Sequence, residues 1–172
     1  MKRLAFLDKK IDQIGYVVKD IEQTMREYYE QFGVGGWKIY TYGKSLLSYA
    51  RRNGKPFEYR ARVALSFFGE SRIELIQQIE GDTIYQEFID RHGFGVHHLG
   101  IYVLDIASKL KETQEEGLAV SMEGAGYGLD GDGHFAYLET EQRFGTTYEL
   151  IQRPKQLRPP ESVYPSEGIQ HP

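Results

Sequence analysis

No cysteine occurs among the 172 residues, which excludes disulfide frameworks and thiolate metal sites and leaves histidine and oxygen as the only metal ligands. Basic charge is also in short supply. Lys and Arg number 21 against 25 Asp and Glu, giving a net charge of -4, and no long Lys/Arg run offers a footprint for phosphates, so nucleic acid is excluded as a partner. The one modest basic patch is Arg51, Arg52 and Lys55, read as a solvated loop rather than a grip on an anionic substrate. No apolar run approaches the ~18 residues of a membrane span, and the opening MKRLAFLDKK lacks the apolar stretch of a signal peptide. No membrane partner is expected, and a cytoplasmic location is the default. Proline is scarce until the end: five of the six fall in residues 154–172, a Pro-rich C-terminal extension predicted to be an extended arm or disordered and able to wrap a partner subunit.

What the chain does contain is a repeat. IDQIGYVVKDI (11–21) and VHHLGIYVLDI (96–106) align at an offset of 85 residues, pairing Gln13 with His98, Ile14 with Leu99, Gly15 with Gly100 and Asp20 with Asp105. Each copy is followed by a helical stretch that the aspartate can cap and a glycine can end. Each then runs through further strands to its own copy of ELIQ, once in RIELIQQ (72–78) and once in TYELIQR (147–153). Strands are predicted near 11–18, 36–42, 58–68 and 72–79 in a first module (about 11–79). A second module (about 96–153) has them near 96–103, 118–123, 134–139 and 146–152. The stretch GKSLLSYARRNGKP is read as a loop and residues 83–92 as a connecting helix, within a single domain over 1–153.

The doubled ELIQ sets an acid inside an apolar, strand-like run each time, and a buried carboxylate is costly unless something neutralises it. Residues two apart share a face of a strand, so two modules packed about a pseudo-twofold axis bring Gln13, Glu74, His98 and Glu149 to one point. One amide oxygen, one imidazole and two carboxylates suit a single divalent ion, Zn, Ni, Co or Mn, with two positions left for vicinal oxygens of a carbonyl substrate. Such an ion stabilises an enolate formed beside the carbonyl. Adjacent strand residues face opposite ways, so His97 is assigned a structural role and His98 the ligand role. His92 is read as a residue of a helix C-terminus, His134 as an exposed loop residue, and Glu139 and Glu141 as solvated.

These residues carry a family resemblance. The ordered set of strand motifs over roughly 11–153 resembles the vicinal oxygen chelate superfamily of glyoxalase I, methylmalonyl-CoA epimerase, bleomycin-resistance proteins and extradiol dioxygenases. Its densest stretch, GESRIELIQQIEGDTIYQEFIDRHGFGVHHLGIYVLDI, looks most like the epimerases, while the set Gln, Glu, His, Glu is similar to that of glyoxalase I. The resemblance implies an α+β fold of two tandem βαβββ modules forming a curved mixed sheet around the metal site, and a homodimer. It also implies that a metal-ligating glutamate serves as base, Glu149 first and Glu74 second, in an epimerase, isomerase or lyase. The competing readings are a metal-free, drug-sequestering protein of the same fold and an extradiol dioxygenase. The dioxygenase site needs a second histidine where this chain has Gln13.

Overall fold

Asp20 and Asp105 each stand in extended conformation and accept a backbone N–H three residues on, from Gln23 at 2.9 Å and from Ser108 at 3.1 Å. These paired caps start corresponding helices and fix the rhythm of the chain. The computed structural model describes residues 3–5 and 10–166. Among them the first half comprises β1 (Gln13–Val17), α1 (Ile21–Phe32), β2 (Trp37–Gly43), β3 (Tyr49–Arg52), β4 (Lys55–Pro56), β5 (Arg60–Phe68) and β6 (Ser71–Glu80). A helix α2 (Ile84–His92) leads to β7 (Gly95–Tyr102), α3 (Ile106–Glu115), β8 (Val120–Ala125), β9 (His134–Leu138), α4 (Glu141–Phe144), β10 (Thr147–Gln152) and β11 (Ser162–Tyr164).

All eleven strands join one curved, unclosed mixed sheet in the order β11-β2-β5-β6-β1-β7-β10-β9-β8-β3-β4. β1 runs parallel to β6, β7 runs parallel to β10, and the antiparallel pair β1–β7 joins the halves. This is the expected α+β arrangement of two βαβββ modules. Alternation along β1 and β6 sends Ile14, Tyr16, Ile73 and Leu75 to the outer face, where they pack with Ile21, Met25 and Trp37 around α1. Fully burying side chains of this size contributes about 1.5–3 kcal/mol each. Leu138 and Leu150 do the same under Ile106 of α3. The inner face of both halves is filled by a third cluster that includes Val17, Val63, Ile76, Met122 and Phe135, and α2 packs Ile84, Tyr85, Phe88 and Ile89 into it.

Two segments differ from the sequence reading. The stretch 44–57 is not a plain loop: it carries the hairpin β3–β4, which leaves the first module and pairs with β8 on the outer edge of the second. Arg51 and Arg52 are engaged in ion pairs with Glu123 and Glu87, and Arg51 and Lys55 are exposed to solvent as expected. The described part of the Pro-rich extension is not a free arm but returns to its own chain, where β11 pairs with β2 at the other edge and Glu161 receives Thr41 N–H at 2.7 Å. Its last residues, 167–172, lie outside the described residues. Low hydrophobicity hid both segments, since edge pairing is made by backbone groups that periodicity does not report.

Candidate functional site

Each ELIQ copy works on both faces of its strand. Leu75 and Leu150 enter the outer cores, while Glu74 and Glu149 point inward. Gln77 and Gln152 use their side-chain oxygens to accept the first helical N–H groups of α1 and α3, from Ile21 and from Ile106, both at 2.9 Å. The tetrapeptide is repeated whole because it supplies an inward acid, a core residue and an outward helix anchor in both modules.

The four side chains expected to converge do so. Gln13 Nε2 donates to Glu74 Oε2 at 3.0 Å and to Glu149 Oε2 at 3.1 Å, and His98 Nε2 stands 3.2 Å from each of those oxygens. All four residues are buried. The glycines of the repeat make this possible. Gly15 pairs with His98 across β1 and β7, and a Cβ at Gly15 would lie 1.9 Å from the imidazole; a Cβ at Gly100 would press on Gln13 at 2.9 Å and on Glu149 Oε2 at 3.2 Å. Each module thus carries, two residues after its own polar group, the gap into which the other module's group fits. In the sequence this signal is the pairing of Gly15 with Gly100 at the repeat offset.

His97 corrects the alternation argument. The register of β1 against β7 shifts by one residue, from Gly15↔His98 to Tyr16↔Val96, so His97 is the extra residue of a β-bulge. Its buried ring packs against Tyr85, Phe88 and Tyr137, and its Nδ1 lies 3.0 Å from His98 Nδ1. Burial, followed by the charge on His98, holds His97 well below the ordinary histidine value, and its N–H bonds to the backbone carbonyl of Ile84. Neutral His97 therefore accepts from the Nδ1–H of His98, which turns His98 Nε2 toward the carboxylates. Such an outer partner fixes which nitrogen a metal-binding histidine presents.

Burial alone would lower the His98 pKa, but Glu149 and then Glu74 overcome it and push the value up to about 9. Burial raises Glu149 above the usual carboxylate range, against the opposing pull of His98. An imidazolium offsets one of the two buried carboxylate charges, and a divalent cation beside a neutral imidazole offsets both. Glu74, His98 and Glu149 offer ligand atoms all within 4.8 Å of one another. A metal with ligands at about 2.1 Å holds neighbouring ligands about 3.0 Å apart in an octahedron and about 3.4 Å apart in a tetrahedron. The spacings here, 3.0 to 3.4 Å including Gln13 Nε2 to His98 Nε2, fit both. Gln13 Oε1 is buried without a hydrogen-bond partner. A half-turn of the amide exchanges its two ends and sets that oxygen among the carboxylate oxygens, as a cation requires. The residues present therefore fit a divalent ion.

Beside the four groups lies a cavity of about 20 Å³, the room of one water, lined by Tyr42, Tyr85, Tyr127, Phe135 and Tyr137 and by Arg72 at one end. Burial raises the phenol pKa values of all four tyrosines. The remaining candidates sit elsewhere. His92 ends α2, and with Arg91 it grips Glu141, at 2.7 and 2.8 Å, so Glu141 is paired rather than solvated. His134 belongs to β9, not to a loop, and bonds Glu123 at 2.9 Å. Glu139 is exposed.

Fold and site together define a duplicated α+β protein whose halves share one buried polar centre. The model of the Glyoxalase/Bleomycin resistance protein/Dioxygenase superfamily matches residues 12–137, and the chain belongs to that superfamily. Gln13, Glu74 and His98 lie inside the matched segment and Glu149 beyond it. Among solved structures, a hypothetical protein from Bacillus halodurans is similar at 23% identity and a TM-score of 0.60, covering 87% of this chain and 97% of that one. Streptomyces coelicolor methylmalonyl-CoA epimerase in complex with 2-nitronate-propionyl-CoA is similar at 17% identity and a TM-score of 0.64, covering 88% and 99%. The Mycobacterium tuberculosis methylmalonyl-CoA epimerase follows at 18% and 0.58, covering 84% and 88%. No curated protein matches the sequence. Among the described residues no helix is long and apolar enough to cross a membrane.

Proposed function

We propose that the chain is a divalent-metal-dependent enzyme that chelates two vicinal oxygens of a small carbonyl compound and moves a proton at the neighbouring carbon through an enolate, as an epimerase, isomerase or lyase. The observation that carries this reading is the convergence of Gln13, Glu74, His98 and Glu149 from both modules at the spacing of a coordination shell. One imidazole and three oxygens suit Zn, Ni, Co or Mn. When bound, the ion supplies Lewis-acid stabilisation of the negative charge that develops on the carbonyl oxygen.

Glu149 is the base of this scheme. Burial raises its carboxyl above the usual range, which makes the carboxylate a better proton acceptor. Glu74 comes from the opposite module, so protonation from its side inverts the carbon that Glu149 deprotonates, whereas delivery of that proton by Glu149 to the neighbouring, former carbonyl carbon of an enediolate gives isomerisation, and departure of a group beside the enolate gives elimination. Gln13 adds an oxygen without adding charge, and His97 keeps His98 turned inward. The aromatic rings about the cavity exclude water and strengthen every charge inside it. Tyr127, whose hydroxyl holds the Gln152 carbonyl at 3.1 Å, stands on the connection 126–133 and forms part of the cavity wall. The epimerase neighbours make CoA-linked carbonyl compounds the first class to try.

Elemental analysis of protein purified without chelator tests the metal. Exchange of carbon-bound protons with solvent deuterium, followed by NMR on acyl-CoA thioesters, 2-oxo acids, 3-keto sugars and hemithioacetals, tests the chemistry. One equivalent of divalent metal together with exchange on one of these compounds is the expected result. Protein that takes up none of the four metals would overturn the proposal.

A further inference from the structure

Arg72 stands two residues before Glu74 on the same face of β6 and lines the same small cavity. Its Nη1 donates to the Tyr102 hydroxyl at 3.1 Å, but its Nε is buried and donates to nothing. Among the described residues no carboxylate lies within 4.0 Å of its guanidinium, although eight Asp or Glu side chains elsewhere in the fold are paired with arginines or lysines at that range. A second cation stands beside it: Arg153, exposed and likewise without a carboxylate in reach, lies 5.3 Å from the centre of the same Tyr102 ring that Arg72 approaches at 5.9 Å. The Glu74 charge acts on this guanidinium without touching it, so its buried Nε edge is left without an acceptor, and a planar N–H edge matches a carboxylate in two hydrogen bonds.

We propose that Arg72 is a specificity residue which binds a carboxylate on the substrate, separate from the two oxygens that chelate the metal, so that the natural substrate is an acidic carbonyl compound. The inference rests on the metal-dependent reading above. Arg72 and Glu74 share a strand face, so an acid held at the first sets the carbon next to it against the second. Exposed Arg153, on the Tyr102 ring that Arg72 also approaches, adds attraction for an anion, and Arg72 receives it in the cavity. A neutral residue in place of Arg72 would leave the chelating oxygens their ligand but remove the discrimination between acidic and neutral carbonyls. Tyr102 holds the guanidinium on its Nη1 side and leaves the Nε edge to the ligand.

The test uses two probes that chelate through the same hydroxamate group, acetohydroxamate and malonic monohydroxamate, of which only the second carries a carboxylate. Binding to the Co- or Ni-loaded protein is read by titration calorimetry and by the visible absorption of the metal. The parent should bind the carboxylated probe about 10- to 100-fold more tightly, the worth of a charge-assisted bond. Arg72→Met should erase that margin while leaving metal content and acetohydroxamate affinity in place, and Arg72→Lys should keep part of it. Equal affinities in the parent, or a margin that survives in Arg72→Met, would overturn the role of Arg72 while the metal site stands. Failure of the parent to take up metal would overturn the proposed function and this inference with it.

Discussion

The first module presents a glutamine where the second presents a histidine, and the strand carrying the glutamine is regular at that residue while the strand carrying the histidine bulges just before it. Everything that positions these groups is duplicated: the capping aspartates, the helix-anchoring glutamines, the glycine two residues on and the inward glutamate. What differs is the chemistry set on that frame. One half contributes a neutral amide, the other an imidazole oriented by a second imidazole behind it. Duplication therefore fixes the backbone, and single-residue changes at equivalent positions build an asymmetric centre that neither half has alone.

The sharpest way to break the comparison is to fill the gaps between the modules. Gly15→Ala places a methyl inside the His98 ring, whereas Gly100→Ala meets its neighbours at 2.9 Å and more. Gly15→Ala is expected to abolish metal uptake and to cost about 1–3 kcal/mol in denaturant unfolding. Gly100→Ala should cost less and leave residual uptake. Equal effects of the two would break the interlock described here.

The carboxylates come next. Glu149→Gln keeps an oxygen able to touch a metal but removes the proton acceptor, so deuterium exchange should fall by about 10²- to 10⁴-fold with metal content nearly kept. His98→Ala should lose the metal itself. If Glu149→Gln exchanges at the parent's rate, Glu74 takes over the role of base. A smaller and symmetrical effect is expected at the helix anchors: Gln77→Ala and Gln152→Ala should each cost about 0.5–2 kcal/mol of stability, equal within error, measured by urea unfolding. A marked inequality would show that the two ELIQ copies do not serve their helices alike.

The smallest effect lies at the edge of the second module. Hydrogen bonding from His134, helped by Arg51 of the docked hairpin, lowers the Glu123 pKa below its ordinary value of 4.5 against the opposing effect of burial. A carboxyl depressed in the folded state adds stability at pH values above about 4.5 and loses it as pH falls through the folded value. Glu123→Gln should therefore flatten the stability profile in that acid range, as measured by urea unfolding at a series of pH values.

Much of this was legible in the chain. The offset of 85 residues paired Gln13 with His98, and ELIQ supplied the two acids, because side-chain period and duplication survive in sequence as spacing. The bulge at His97 was not legible, since strict alternation sends the two histidines apart and only the pairing with β1 reveals the extra residue. Arg72 was hidden for a different reason. A basic residue beside strand residues reads as an exposed end, and its unsatisfied Nε is visible only once the fold has buried it. The edge strands β3, β4 and β11 escaped because short polar strands are held by a neighbour's backbone and not by an apolar face.

Those edge strands also order events in time. The hairpin β3–β4 is synthesised about 70 residues before the β8 strand that receives it, and β2 waits about 120 residues for β11. During translation the first half therefore leaves the ribosome with both edges of its sheet bare, β2 awaiting β11 and β1 awaiting β7, and with one arm unattached, and it cannot finish until the second half has emerged. Each half acts as the other's last folding step, which ties completion of the polar centre to completion of the whole chain.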